Sequence, residues 1–142
     1  MKKRISSIFC LLALAITSMQ AKDYNVKDYG AIGDGKTLDH IAINATIDTC
    51  VAHGGGRVVL PAGTYLCGSI RMKSNVELHL MTGSKILAAP ASMKAYDEAE
   101  KFEGTAYQDG GHTYFKNSLI YAIGANDVSI TGRGMIDGEG LT

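Results

Sequence analysis

Residues 54–89 read GGGRVVLPAGTYLCGSIRMKSNVELHLMTGSKILAA. Four short apolar runs follow one another within it, at Val58-Val59-Leu60, Tyr65-Leu66-Cys67, Ile70-Arg71-Met72 and Val76 to Leu80. A fifth, Ile86-Leu87-Ala88, closes the stretch. Each run is too short for a helix and is bounded by Gly, Pro, Ser or Asn, the residues that end strands. In Val76-Glu77-Leu78-His79-Leu80 apolar and polar residues alternate, so Val76, Leu78 and Leu80 share one face. No Asn-Gly or Asp-Gly pair offers a two-residue hairpin between the runs. Short strands separated by a few turn residues suit a parallel β-helix, whose inward side chains stack from coil to coil. An antiparallel sandwich or barrel satisfies the same periodicity, which alone does not separate the two.

The whole chain has 142 residues, with 14 Lys and Arg against 14 Asp and Glu, and 46% apolar content. That length allows one globular domain at most. Zero net charge argues against a nucleic-acid binder, which would carry a basic patch. The 17 glycines are spread over turns rather than gathered in one low-complexity block, so they indicate many tight turns.

The N-terminus reads as a secretory signal peptide over residues 1–21. Lys2-Lys3-Arg4 precedes an apolar run from Ile5 to Ile16, and Thr17-Ser18-Met19-Gln20-Ala21 offers a cleavage site after Ala21. The apolar run is too short for a membrane span, although a short N-terminal anchor is the alternative. The expected location is secreted or periplasmic, with residues 22–142 forming the mature segment. Its cysteines, Cys50 and Cys67, would be free to pair in an oxidising compartment. Their positions, on the apolar face of a helix and in a strand, favour two buried thiols.

Before the opening stretch, Tyr24 to Tyr29 reads as a short strand and Gly30 to Gly35 as a glycine-rich turn. The turn's G-x-x-G-x-G spacing matches neither a P-loop nor a dinucleotide fingerprint. Leu38 to His53 is the best helix. Asp39 stands at its N-cap, Leu38 before it as a staple, and Gly54-Gly55-Gly56 ends it. The capping helix is therefore placed at about 39–53, with Ile43, Ile47, Cys50 and Val51 on its apolar face. Its role would be to cover the open end of the stack and its strand edges. The triplet Asn44-Ala45-Thr46 lies inside this helix and is discounted as a glycosylation site.

After the first coils at 57–89 comes a long polar segment, 90–117, then a further coil at 118–138 with short runs Ser118 to Ile123, Asp127 to Thr131 and Met135 to Asp137. Ala95 to Phe102 reads as a short helix. A loop this long in a compact fold is functional or disordered. Tyr107, His112 and Tyr114 are candidates to stack on or bond to a ligand; a solvated insertion is the plainer reading. Asp137 and Glu139 would share a face if the strand ran on, but Gly138 and Gly140 argue for a turn. Asp97, Glu98 and Glu100 read as a solvated face, and His79 as an outward surface residue. The cysteines and histidines lack metal-ligand spacing, so neither a metal nor a cofactor is expected.

The stretches DYGAIGDGKTLDHIAINATIDTC (28–50), GGGRVVLPAGTYLCGSIRMKSNVELHL (54–80) and NDVSITGRGMIDGEG (126–140) resemble the N-terminal part of glycoside hydrolase family 28. These are the polygalacturonases and rhamnogalacturonases of the pectate-lyase-like superfamily. The resemblance runs from about Tyr24 to Gly140. Leu38-Asp39-His40-Ile41 departs from it, since relatives have an Asp-Asn/Asp-Thr run there. It implies a right-handed parallel β-helix that hydrolyses galacturonan-type chains with inversion, and a pectic polysaccharide as partner. The family's Asn-Thr-Asp, Asp-Asp, Gly-His-Gly and Arg-Ile-Lys motifs are not found in these residues, and Gly110-Gly111-His112-Thr113 is not the third of them. No catalytic residue is therefore carried over.

The chain is expected to be the N-terminal portion of such an enzyme, with the catalytic carboxylates downstream of residue 142. A non-catalytic polysaccharide-binding β-helix, or a lyase or other glycanase of the same fold, are the alternatives. Expressed alone, the 142 residues should be poorly soluble and inactive on polygalacturonate, because a solenoid needs a cap at both ends. Cooperative unfolding of a soluble product together with release of reducing sugar would overturn that expectation.

Overall fold

A computed structural model describes residues 22–99 and 116–138. The strands are β1 (Asp23–Asn25), β2 (Asp34–Leu38), β3 (Gly56–Leu60), β4 (Gly63–Cys67), β5 (Ile70–Met72), β6 (Val76–Leu80), β7 (Ser84–Ala88), β8 (Ile120–Ala122), β9 (Ser129–Gly132) and β10 (Met135–Asp137). One α-helix, α1 (His40–Ala52), lies between β2 and β3. All five apolar runs of the opening stretch are strands, and every strand pair is parallel. The antiparallel alternative is thereby excluded.

The strands form three sheets, ordered β1-β3-β6-β9, β2-β4-β7-β10 and β5-β8. The chain visits the sheets in turn and then climbs to the next coil, which makes a right-handed parallel β-helix. Gly56 lies beside Val76 and Gly63 beside Ser84. One coil therefore takes roughly 20 residues, the short end of the solenoid range. The third sheet steps from Ile70 to Ile120, because far more residues separate β7 from β8 than separate the other consecutive strands.

Alternation along each strand sends one face inward. Val58, Leu78 and Ile130 occupy one column of the first sheet; Tyr65, Ile86 and Ile136 occupy one of the second. Val58, Leu78, Tyr65 and Ile86 are fully buried. The last members, Ile130 and Ile136, are 47% and 45% exposed, so the top of the last described coil is open and apolar. The Tyr65 hydroxyl donates to the Pro61 carbonyl at 2.8 Å, which satisfies the polar end of the largest fully buried side chain.

Helix α1 packs on the first coil and on β3 and β5. Ile43, Thr46, Ile47 and Cys50 form its buried face. Val51, expected on that face, is 36% exposed, since it lies a further 100° round the helix from Cys50. Leu38, expected at the helix start, ends β2 instead. Asp39 does occupy the N-cap position but makes no capping bond there. Its backbone is already helical, and its buried carboxylate accepts from the N–H groups of Ile32 (2.7 Å) and Gly33 (2.9 Å).

Two further expectations are corrected. Of the run Tyr24 to Tyr29, Tyr24 and Asn25 alone are strand, within β1; Val26–Tyr29 turns into a 3-10 helix, which the Asn25 side chain caps by accepting from the Lys27 N–H. The glycine-rich turn is shorter than 30–35, because Asp34 and Gly35 already belong to β2. Cys50 and Cys67 are both buried and free, and burial pushes both thiols up from their ordinary range.

Replacing Leu78 with Ala should lower unfolding stability by about 2–5 kcal/mol. Ile130→Ala, in the same column at the half-exposed end, should cost markedly less. Urea denaturation midpoints of the two variants check this; equal losses would count against the stacked column as the source of stability.

Candidate functional site

The long segment between β7 and β8 is held to the solenoid at a narrow neck. The Ser69 N–H donates to the Ala95 carbonyl at 3.3 Å. Its hydroxyl accepts from the Asp97 N–H at 2.9 Å and lies 2.8 Å from the Ser118 carbonyl and 3.2 Å from that of Lys116. One buried serine therefore touches both limbs of the insertion. The limb passes so close to Gly68 that a Cβ there would collide with the Ala95 carbonyl. Tyr96 adds a hydroxyl bond to the Ala89 carbonyl at 2.7 Å.

Outside this neck sits a charged cluster on the third sheet. Arg71 on β5 and Tyr121 on β8 are register partners. The Arg71 guanidinium grips the Asp97 carboxylate with both nitrogens, at 2.7 and 2.5 Å, and the Tyr121 hydroxyl donates to the same carboxylate at 2.7 Å. The Arg71 bonds hold the Asp97 acid at about 2, below the usual 3.8. Burial pushes the neighbouring His40 below its usual range. Its Nδ1 is buried with no hydrogen-bond partner among the described residues.

The outer face of the first sheet carries a second polar array. Asp23, Arg57, Glu77 and Ser129 follow one another in register, and beside them Val59, His79 and Thr131. Arg57 holds Asp23 in a two-pronged pair at 2.8 Å for each bond, which depresses the Asp23 pKa. The Thr131 hydroxyl donates to the Glu77 carboxylate. Its oxygen lies 2.7 Å from His79 Nδ1.

The candidates from the sequence have different fates. Asp97 is not a solvated acid but the hub of the third-sheet cluster, because register brings Arg71 and Tyr121 beneath it. Residues 95–99 are not helical; among the described residues the helical turn near them is Ala91–Met93. Glu98 is exposed to solvent, as expected. Asp137 lies 3.2 Å from Lys85 Nζ. His79 does face outward, bonded to Thr131. Glu100, Tyr107, His112, Tyr114 and Glu139 lie outside the described residues. Among the described residues no group of three His, Cys, Asp or Glu side chains is arranged to hold a metal ion, and no helix is long and apolar enough to cross a membrane.

Sequence reasoning missed Ser69, Arg71 and Tyr121 as parts of one arrangement. Alternation in Ile70-Arg71-Met72 and Ile120-Tyr121-Ala122 marks both central residues as outward, but only the register across the insertion joins them. The folded value of Asp97 lies below the unfolded one, so its contribution is complete above about pH 4 and is lost as pH falls towards about 2. Asp97→Asn should therefore show a shallower acid loss of stability over that window than the parent chain, most visibly at low salt. Denaturant midpoints measured across the window test this, and parallel curves would refute it.

Residues 24–139 match the family described as rhamnogalacturonase A/epimerase, pectate lyase-like. The exo-poly-alpha-D-galacturonosidase of Dickeya chrysanthemi is 33% identical over 132 residues, covering 87% of this chain and 21% of that protein. The family 28 exopolygalacturonase of Yersinia enterocolitica superposes with a TM-score of 0.67 at 37% identity, over 84% of this chain and 21% of that one. Alginate lyase 7 of Azotobacter vinelandii is 50% identical over 62 residues, 38% of this chain and 7% of that protein. The chain thus spans about a fifth of the length of the two galacturonan-named relatives. The three-sheet parallel coil and the match over nearly all of the described residues agree: the chain belongs to the rhamnogalacturonase A/epimerase, pectate-lyase-like family.

Proposed function

We propose that these residues form the N-terminal cap and first coils of a secreted pectin-degrading glycoside hydrolase that cleaves galacturonan-type α-glycosidic bonds with inversion. The observation that carries this reading is the joint likeness, in sequence and in superposed coils, to two exo-acting galacturonan hydrolases over more than four fifths of the chain. Inversion requires a carboxylic acid and a carboxylate base about 6.5–9.5 Å apart with a water between them. Of the three candidate acids that the structure describes, Asp97 is engaged by Arg71 and Tyr121 and Asp137 by Lys85, while Glu98 stands exposed on the surface. A carboxylate gripped by a cation is a poor proton acceptor, which favours placing the reacting pair on coils beyond Thr142. Within the same reading residues 1–21 direct export, and Tyr107, His112 and Tyr114 contact the polysaccharide from the insertion.

A second reading is favoured by the likeness to alginate lyase 7: a lyase built on the same N-terminal unit. The two differ in their products, since elimination leaves a conjugated double bond and hydrolysis does not.

The test begins with the reading frame beyond Thr142, where Asp-Asp, Gly-His-Gly and Arg-x-Lys coils are expected. The full chain should then release reducing ends from polygalacturonate with no rise in ultraviolet absorbance, and the first product should carry the inverted anomeric configuration by proton NMR. Rising absorbance would favour the lyase; no product of either kind would overturn both.

A further inference from the structure

Where β6 turns into β7, next to the corresponding turn of the coil above, there is an open groove of about 400 Å³ lined by His79, Leu80, Met81, Thr82, Gly132 and Arg133. That volume lies within the range of small-molecule sites. Its base is firmly built. The Met81 N–H donates to the Leu60 carbonyl at 3.0 Å, and the Met81 carbonyl accepts from the Ser84 N–H at 3.0 Å and from its hydroxyl at 2.8 Å. The rim is equally fixed. Gly132 has φ +101°, and a Cβ there would collide with the Leu80 carbonyl. Only a glycine permits this turn, which lets the N–H groups of both Arg133 (2.9 Å) and Gly134 (3.1 Å) reach that one carbonyl. The Arg133 backbone is thereby anchored over the groove.

The polar groups left for a ligand are a guanidinium, an imidazole nitrogen and a hydroxyl. The Arg133 guanidinium has no hydrogen-bond or ion-pair partner among the described residues, whereas Arg57 and Arg71 are each paired with a carboxylate. Thr131 gives its hydroxyl proton to Glu77, so its oxygen accepts from His79 Nδ1–H. That chain leaves Nε2 of His79 as the ring nitrogen without a partner among the described residues. Thr82 contributes a hydroxyl, and Met81, 46% exposed, an apolar patch. A planar carboxylate suits an unpaired guanidinium bidentately, ring hydroxyls suit Nε2 and Thr82, and the C–H face of a sugar suits Met81.

We propose that this groove is a subsite for one uronic-acid residue of an acidic polysaccharide, with Arg133 holding the carboxylate and His79 a hydroxyl. The assignment of a uronate polymer rests on the proposed function; the preference for a carboxylate-bearing sugar rests on the groove itself.

The test uses isotopically labelled full chain and free galacturonate, which no glycosidase turns over, read by NMR at the His79 ring and the Arg133 Nε. Millimolar galacturonate should shift both signals, and galactose, which lacks the carboxylate, should shift neither. Arg133→Ala should raise the dissociation constant about tenfold at the His79 signal, and His79→Gln should leave a weaker Arg133 response. Absence of any shift, an equal response to galactose, or an unchanged constant in Arg133→Ala would overturn the subsite. Reducing-sugar release from polygalacturonate in the same samples reports on the proposed function separately: a shift without turnover keeps the groove and removes the hydrolase, and turnover without a shift does the reverse.

Discussion

Parallel pairing at a nearly constant step forces each coil to present the side-chain pattern of the coil beneath it. A slip of one residue would turn Val76, Leu78 and Leu80 outward and bring Glu77 and His79 into the core. Val58 therefore fixes the place of Leu78, and Leu78 that of Ile130. The same columns decide what faces solvent, so the polar ladder from Asp23 to Glu77 is a by-product of keeping the inside apolar. Outward chemistry on this solenoid is dictated by inward packing.

The stack also needs a beginning, and Asp39 supplies it. Its carboxylate binds the backbone of the first corner at Ile32 and Gly33, its N–H donates to the Leu66 carbonyl of the next coil at 2.8 Å, and its own carbonyl receives the Ile43 N–H of α1 at 3.0 Å. One residue thus ties corner, second coil and helix together. Such a buried acid is tolerable because its oxygens meet backbone donors. Helix α1 then seals the apolar base with Ile43, Ile47 and Cys50.

Much of this was legible in the sequence. The five strands from Gly56 to Ala88 follow from short apolar runs bounded by turn residues, and the helix from the spacing of Ile43, Ile47 and Cys50. What periodicity could not supply was direction: Val-x-Leu-x-Leu is equally good in parallel and antiparallel sheets, and the family resemblance decided it. Asp39 was placed at the right position for the wrong reason, since cap statistics do not reveal that the turn before it needs two acceptors. Asp97 was misread because its partner Arg71 is brought near only by the fold. Arg133 and His79 were invisible as a pair for the same reason: the register, and not the spacing, joins them.

The neck at Ser69 has a wider meaning for how such a fold diversifies. Both limbs of the insertion meet at one buried hydroxyl, so the chain leaves the solenoid and returns to it at almost the same point whatever lies between. The entropic cost of closing a longer loop grows only with the logarithm of its length. The corner between β7 and β8 is therefore a port through which sequence can be added, shortened or exchanged while the stacking columns remain undisturbed. Core and periphery are, in this sense, mechanically insulated, and natural selection can rewrite the surface of one coil without renegotiating the register of all the others.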